Sequence, residues 1–150
     1  MREAMLAGLA AAAMAAGATA VAAAERPLAI DTAGAAVKWG PCPPIFPRGC
    51  QIAVLHGDPA RPNADVLLRV PGGMYLRPHT HSSAERMMLV SGRLRVRYQG
   101  SPPRTLTPGT YAYGPAGVPH EATCLRGARC TLFIAFEGPV DAEPVRGRIR

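Results

Sequence analysis

Lysine is almost missing from this chain of 150 residues: Lys38 stands alone beside sixteen arginines among seventeen basic side chains. The formal charge is +7, and removing residues 1–24 would take away one Arg and one Glu and leave it unchanged. No basic cluster accompanies that charge. The arginines are scattered, which together with the export argued below excludes nucleic acid as a partner. Helical periodicity is missing as well beyond residue 25, where proline and glycine, sixteen of each in the chain, interrupt the sequence every few residues. No internal repeat is present, so one module is expected rather than two. The four cysteines lack zinc-finger spacing, which excludes a cysteine-built metal site.

What is present is a succession of short apolar or β-branched segments between Gly/Pro turns. Strands are expected at 36–39, 51–56, 65–70, 74–77, 79–81, 86–91, 93–98, 104–107, 110–113, 121–124 and 131–136. Many short strands at such spacing indicate an all-β sandwich or barrel. The run Arg93-Leu94-Arg95-Val96-Arg97-Tyr98 alternates strictly. Leu94, Val96 and Tyr98 should face inward and the arginines water, with contact to an anionic partner as the other reading. A hairpin is expected around residues 99–103. The sequence divides into an extended arm at 25–50 with Trp39, Phe46 and five prolines, a barrel at 51–137, and a loose polar tail at 138–150.

The first 24 residues stand apart. Positions 4–24 carry no charge and are mostly alanine, and Ala22-Ala23-Ala24 before Glu25 has the small-x-small form of a cleavage site. Twenty-one uncharged residues are long enough to span a bilayer, but alanine with Gly8 and Gly17 makes a poor span. A removed export signal is the expectation, leaving no stable membrane span and a periplasmic or secreted protein. Cysteine usage agrees. Cys42 and Cys50 bracket one turn-forming run, and Cys124 and Cys130 another, so local disulfides are favoured among three connectivities. Such bonds persist only in an oxidising compartment.

Three of the four histidines fall within residues 73–120. Side chains alternate along a strand, so His79 and His81 point the same way. Glu85 follows four residues later, within reach of a short turn. His120 must come from another strand, delivered by the turn-rich GPAGVPH at 114–120. Three neutral imidazoles and a carboxylate form an N3O set suited to one divalent transition ion: Fe, Mn, Ni, Cu or Zn. His56 has no such neighbours and is read as a strand-end or rim residue.

The order Gly73, His79, His81, Glu85, Gly92, then Gly109, Pro115, Gly117, His120 resembles the two motifs of the cupin superfamily at every glycine, proline, histidine and glutamate. One position departs: Cys124 stands where the family usually has Asn. The resemblance covers about a third of the chain. It implies a jelly-roll (double-stranded β-helix) barrel and a metal held by His79, His81, Glu85 and His120.

Regular alternation through Pro78 would set Tyr75 and Arg77 on the inward face, Arg77 as a clamp for a substrate carboxylate. The alternative is that Pro78 breaks the alternation and leaves Arg77 in solvent. Met87 and Leu89 should line the pocket, and Tyr111 or Tyr113 should face inward. Cys124 shares parity with His120. Acid/base candidates are limited to Tyr111, Tyr113, His56 and Glu121.

Cupins with this ligand set resemble metal-dependent dioxygenases, which makes a dioxygenase-type oxidoreductase acting on a small organic molecule the leading expectation. Cupin isomerases and lyases, and a non-catalytic module that senses or stores a metal or small ligand, are the alternatives. Single-domain cupins also resemble the cupin-like half of some anti-sigma factors, whose helical half has no counterpart here. A homodimer is an allowed assembly.

Overall fold

The computed structural model describes residues 25–150; the expected export signal lies outside the described residues. These contain eleven strands and no helix. In chain order they are β1 (Gly40–Pro41), β2 (Gln51–His56), β3 (Ala64–Val70), β4 (Tyr75–Thr80), β5 (Glu85–Ser91) and β6 (Leu94–Tyr98). There follow β7 (Arg104–Leu106), β8 (Tyr111–Gly114), β9 (His120–Cys124), β10 (Cys130–Phe136) and β11 (Glu143–Pro144). They form two sheets of order β1-β2-β3-β10-β5-β8 and β11-β4-β9-β6-β7, with every ladder antiparallel. Two such sheets face to face are the jelly roll expected from the turn spacing.

Alternation decides what lies between them. Along β10, Cys130, Leu132, Ile134 and Phe136 are buried and the intervening residues half-buried. On β5, Glu85, Met87 and Leu89 turn inward while Arg86, Met88 and Val90 face water. Leu94 and Val96 of β6, Leu76 of β4 and Ala122 of β9 complete the core from the second sheet. Each large apolar side chain so buried contributes about 1.5–3 kcal/mol.

The outer face of the first sheet is half covered by the chain's own N-terminal residues. Val37, Ile30 and Trp39 pack on Ala53, Leu67, Leu55 and Phe133, and the Arg69 guanidinium lies 3.7 Å from the Trp39 ring centroid. The strand expected at 36–39 is therefore displaced to β1, because Val37 is drawn into that cluster instead of a ladder. Disulfides join Cys42 to Cys50 and Cys124 to Cys130. The second links β9 to β10, and so one sheet to the other.

Gly92 makes the tight turn from β5 into β6 with φ 83°. A Cβ there would lie 2.6 Å from the Arg129 carbonyl oxygen, so both torsion and space call for glycine. The C-terminal segment, expected to be loose, is instead bound along the second sheet. β11 pairs with β4, the Val145 N–H donates to the Pro78 carbonyl at 2.9 Å, and Ile149 is 4% exposed. Polar composition hid one apolar anchor and an available sheet edge. No helix among the described residues is long and apolar enough to cross a membrane.

Candidate metal centre

His79 lies near the end of β4 and His81 just beyond it, and His120 opens β9 directly opposite His79 in the ladder. The β4–β9 register pairs Leu76 with Ala122 and then His79 with His120, so β4 carries one extra residue between the two pairs. This bulge falls at Pro78, which has no N–H to give a ladder. Its consequence is that Leu76 and His79 both face inward and Arg77 is turned to solvent. Of the two readings of Pro78, the one in which it breaks the alternation holds, so Arg77 is removed from the pocket candidates and Tyr75 leaves with it at 43% exposure.

The three imidazoles meet in the barrel, each with one nitrogen within 4.8 Å of the others. Each ring's other nitrogen is committed. Nδ1 of His79 lies 2.6 Å from the Arg77 carbonyl oxygen, that of His81 2.5 Å from Asp141 O, and that of His120 3.2 Å from Val118 O. A carbonyl only accepts, so Nδ1 carries the proton in all three and Nε2 presents a lone pair. Burial pushes His79 down to about 4 and His120 down to about 3, which keeps these two rings neutral.

Glu85, 3% exposed at the start of β5, closes the fourth side. Its Oε2 is 3.6 Å from His81 Nε2 and its Oε1 3.5 Å from His120 Nε2. Burial raises its carboxyl above the usual range, opposed by His81 and by the Tyr98 hydroxyl, which donates to Oε1 at 3.2 Å. Three lone pairs and a carboxylate converging in a buried space repel one another unless a cation stands among them. That donor set, with each imidazole oriented by a backbone acceptor, fits a divalent transition ion.

Above the four groups is a cavity of about 70 Å³, walled by Leu68, Leu76, Met87, Val96, Leu132 and Ile134. Phe46, Val140 and Asp141 also line it. Phe46 comes from the loop closed by Cys42–Cys50, and its ring meets His79 edge-on at 4.8 Å.

Of the expected pocket residues, Met87 lines the cavity; Leu89 is buried beside it in the core but does not. Tyr111 and Tyr113 are 57% and 48% exposed. They stand opposite Met88 and Arg86, while Ala112, opposite Met87, takes the inward position. The expectation of an inward tyrosine on β8 is one residue out of phase. His56 is exposed at the end of β2, and Glu121 accepts a 2.5 Å hydrogen bond from the Tyr75 hydroxyl outside the cavity.

Two contributors were not anticipated as site residues. Tyr98, whose inward position the alternation did predict, touches Glu85 and stacks at 4.8 Å from His120. Asp141, in the presumed tail, orients His81 through its carbonyl and binds the Ser82 N–H at 2.8 Å and the Ser82 hydroxyl through its carboxylate. Nothing local in the sequence marks Asp141.

A family model described as the ChrR Cupin-like domain matches residues 27–141. The chain belongs to this cupin family. It is 28% identical over 98 residues to dimethylsulfoniopropionate lyase DddQ of Ruegeria pomeroyi, covering 64% of this chain and 48% of that protein. The chain thus spans about half the length of the curated relative it matches. The solved structure of that lyase superposes with a TM-score of 0.63 at 23% identity, over 77% of this chain and 66% of the other. A cupin 2 conserved barrel protein of Rhodopseudomonas palustris gives 0.60 at 16% identity, over 73% and 77%. An oxalate oxidase gives 0.56 at 18%, over 65% and 56% when in complex with glycolate. At these identities the structural likenesses establish the cupin fold.

Proposed function

We propose that the chain is an exported, metal-dependent cupin enzyme of dioxygenase type acting on a small organic molecule. The observation that carries this reading is the convergence of three imidazole lone pairs and a buried carboxylate at the floor of an apolar cavity. His79, His81, Glu85 and His120 would hold the ion. When bound, it would supply Lewis acidity and, for a redox-active metal, access to oxygen chemistry at positions these four groups leave open.

The chain's own residues set the remaining terms. The apolar walls exclude water and select a substrate with a small polar end and a hydrocarbon body. Beyond the four proposed ligands, the titratable side chains lining the cavity are Tyr98 and Asp141. The Tyr98 hydroxyl donates its hydrogen bond to Glu85, and the Asp141 carboxylate is occupied by Ser82. Neither is free to take a proton from a substrate. This favours chemistry centred on the ion over acid–base chemistry by the protein.

The relationship to DddQ favours a second reading, a lyase. Elimination from dimethylsulfoniopropionate would break its C–S bond and an adjacent C–H bond, pass the proton to a base and form the C=C bond, releasing dimethyl sulfide and acrylate. Phe46 and Phe136 would face the sulfonium cation with their rings. That route requires a base, which the cavity does not offer freely.

The two disulfides support export, with a mature chain from about Glu25 comprising the arm at 25–50, the barrel at 51–137 and the segment 138–150. The test is metal analysis of protein recovered from the exported compartment, then parallel assays of the metal-loaded protein. Oxygen consumption with phenolic or keto compounds supports the dioxygenase. Dimethyl sulfide release without oxygen uptake replaces it with the lyase. Tight metal binding with neither reaction leaves a binding or sensing module.

A further inference from the structure

Tyr98 ends β6 directly opposite His120 of β9, and its phenol reaches through the core to Glu85 on β5 in the other sheet. Its hydroxyl donates at 3.2 Å to Glu85 Oε1, the oxygen that also lies 3.5 Å from His120 Nε2, while Oε2 lies 3.6 Å from His81 Nε2. The contact has a third participant. Gly114 is the ladder partner of Glu85 on β8, and a Cβ at Gly114 would lie 2.6 Å from Oε1, 2.7 Å from Glu85 Cγ and 2.8 Å from the Tyr98 hydroxyl. Gly114 is absent from the glycines of positive φ. Its torsions thus do not require glycine; the space does.

We infer that Tyr98 is a positioning residue of the metal centre, holding Glu85 so that its carboxylate stays set against His81 and His120, with Gly114 leaving the room for that pose. The inference rests on the metal reading above and deepens it. A glutamate has three rotatable bonds and two equivalent oxygens. Without a partner its head can turn away from the imidazoles. The phenol removes that freedom by holding Oε1, as outer hydrogen bonds generally orient ligating carboxylates. The ring, packed against His120, cannot follow the carboxylate elsewhere.

The test uses the full barrel with its disulfides intact, loaded with Co(II) alone and read by visible absorption, and with Zn(II) against a competing chelator. Tyr98→Phe keeps the ring and removes the hydroxyl. It should weaken metal affinity about 10-fold, alter the Co(II) spectrum, and leave the metal-free melting temperature within a few degrees of the parent. Gly114→Ala attacks the same contact from the other strand and should also weaken binding. In a Glu85→Ala background the Tyr98→Phe effect should vanish, since no carboxylate remains to be positioned.

Unchanged affinity and spectrum in Tyr98→Phe overturn the inference, as does an equal loss in the Glu85→Ala background, which would mark the hydroxyl as merely structural. If the parent chain binds neither Co(II) nor Zn(II), the metal reading itself fails, a result distinct from a parent that binds and a variant that binds equally.

Discussion

Glu85→Gln separates the two consequences of burying a carboxylate among imidazoles. In the metal-free chain Glu85 is almost fully buried, receives one hydrogen bond from Tyr98, and faces Nε2 lone pairs at 3.5 and 3.6 Å. A buried charge so poorly compensated costs several kcal/mol, and the isosteric amide removes most of that cost. The metal-free variant should therefore be more stable than the parent by about 1–3 kcal/mol. A chain of this size melts roughly 2–4 °C higher per kcal/mol, so the expected rise is about 2–12 °C.

Metal binding should move the other way. Loss of the anionic ligand weakens affinity about 10–100-fold by analogy with the removal of supporting groups. At a metal concentration 100 times the parent Kd, binding stabilises the parent by about 2.7 kcal/mol. After a 100-fold weakening the same concentration gives only about 0.4 kcal/mol. Thermal melts followed by circular dichroism, with chelator and with graded Zn(II), read both numbers on one sample. A lower metal-free melting temperature in Glu85→Gln would refute the buried-charge argument. A fully retained metal-induced shift would refute the placement of Glu85 in the site.

Single changes of His79, His81 or His120 to Ala should sharply reduce bound metal in elemental analysis, while His56→Ala leaves it unchanged; near-stoichiometric metal in a His79→Ala/His120→Ala double variant would defeat the assignment. Chelation should preserve the far-ultraviolet β-sheet signal, because Leu89, Leu132, Val66 and Val70 are packed fully out of water and make the core independent of the ion. Leu132→Ala should cost about 2–5 kcal/mol in denaturant unfolding, and a loss below 1 kcal/mol would show that the two sheets do not pack through it. Replacing Cys124 and Cys130 together by Ala should cost about 2–3 kcal/mol, read as a lower denaturant midpoint.

Local pattern determined much of this molecule. Alternation is a property of adjacent residues, so the inward set Leu94, Val96 and Tyr98 and the buried pair Met87 and Leu89 were readable directly. The spacing of His79, His81, Glu85 and His120 marked a metal site, and the resemblance of that order, with its turn glycines, to the cupin motifs implied the barrel. Local cysteine pairing was favoured by the turns that each pair brackets. What only the tertiary structure decided lies where chains distant in sequence meet. A proline bulge turned Arg77 outward, and the β5–β8 register set Ala112 rather than a tyrosine inward. The C-terminal segment found an unpaired edge of β4 and brought the Asp141 carbonyl to His81. Tyr98, Glu85 and Gly114 sit on three strands, and their mutual fit depends on sheet register and the closure of one sheet on the other. Periodicity tells which side of its own strand a residue occupies; which residues share the space between sheets is settled only when the barrel closes.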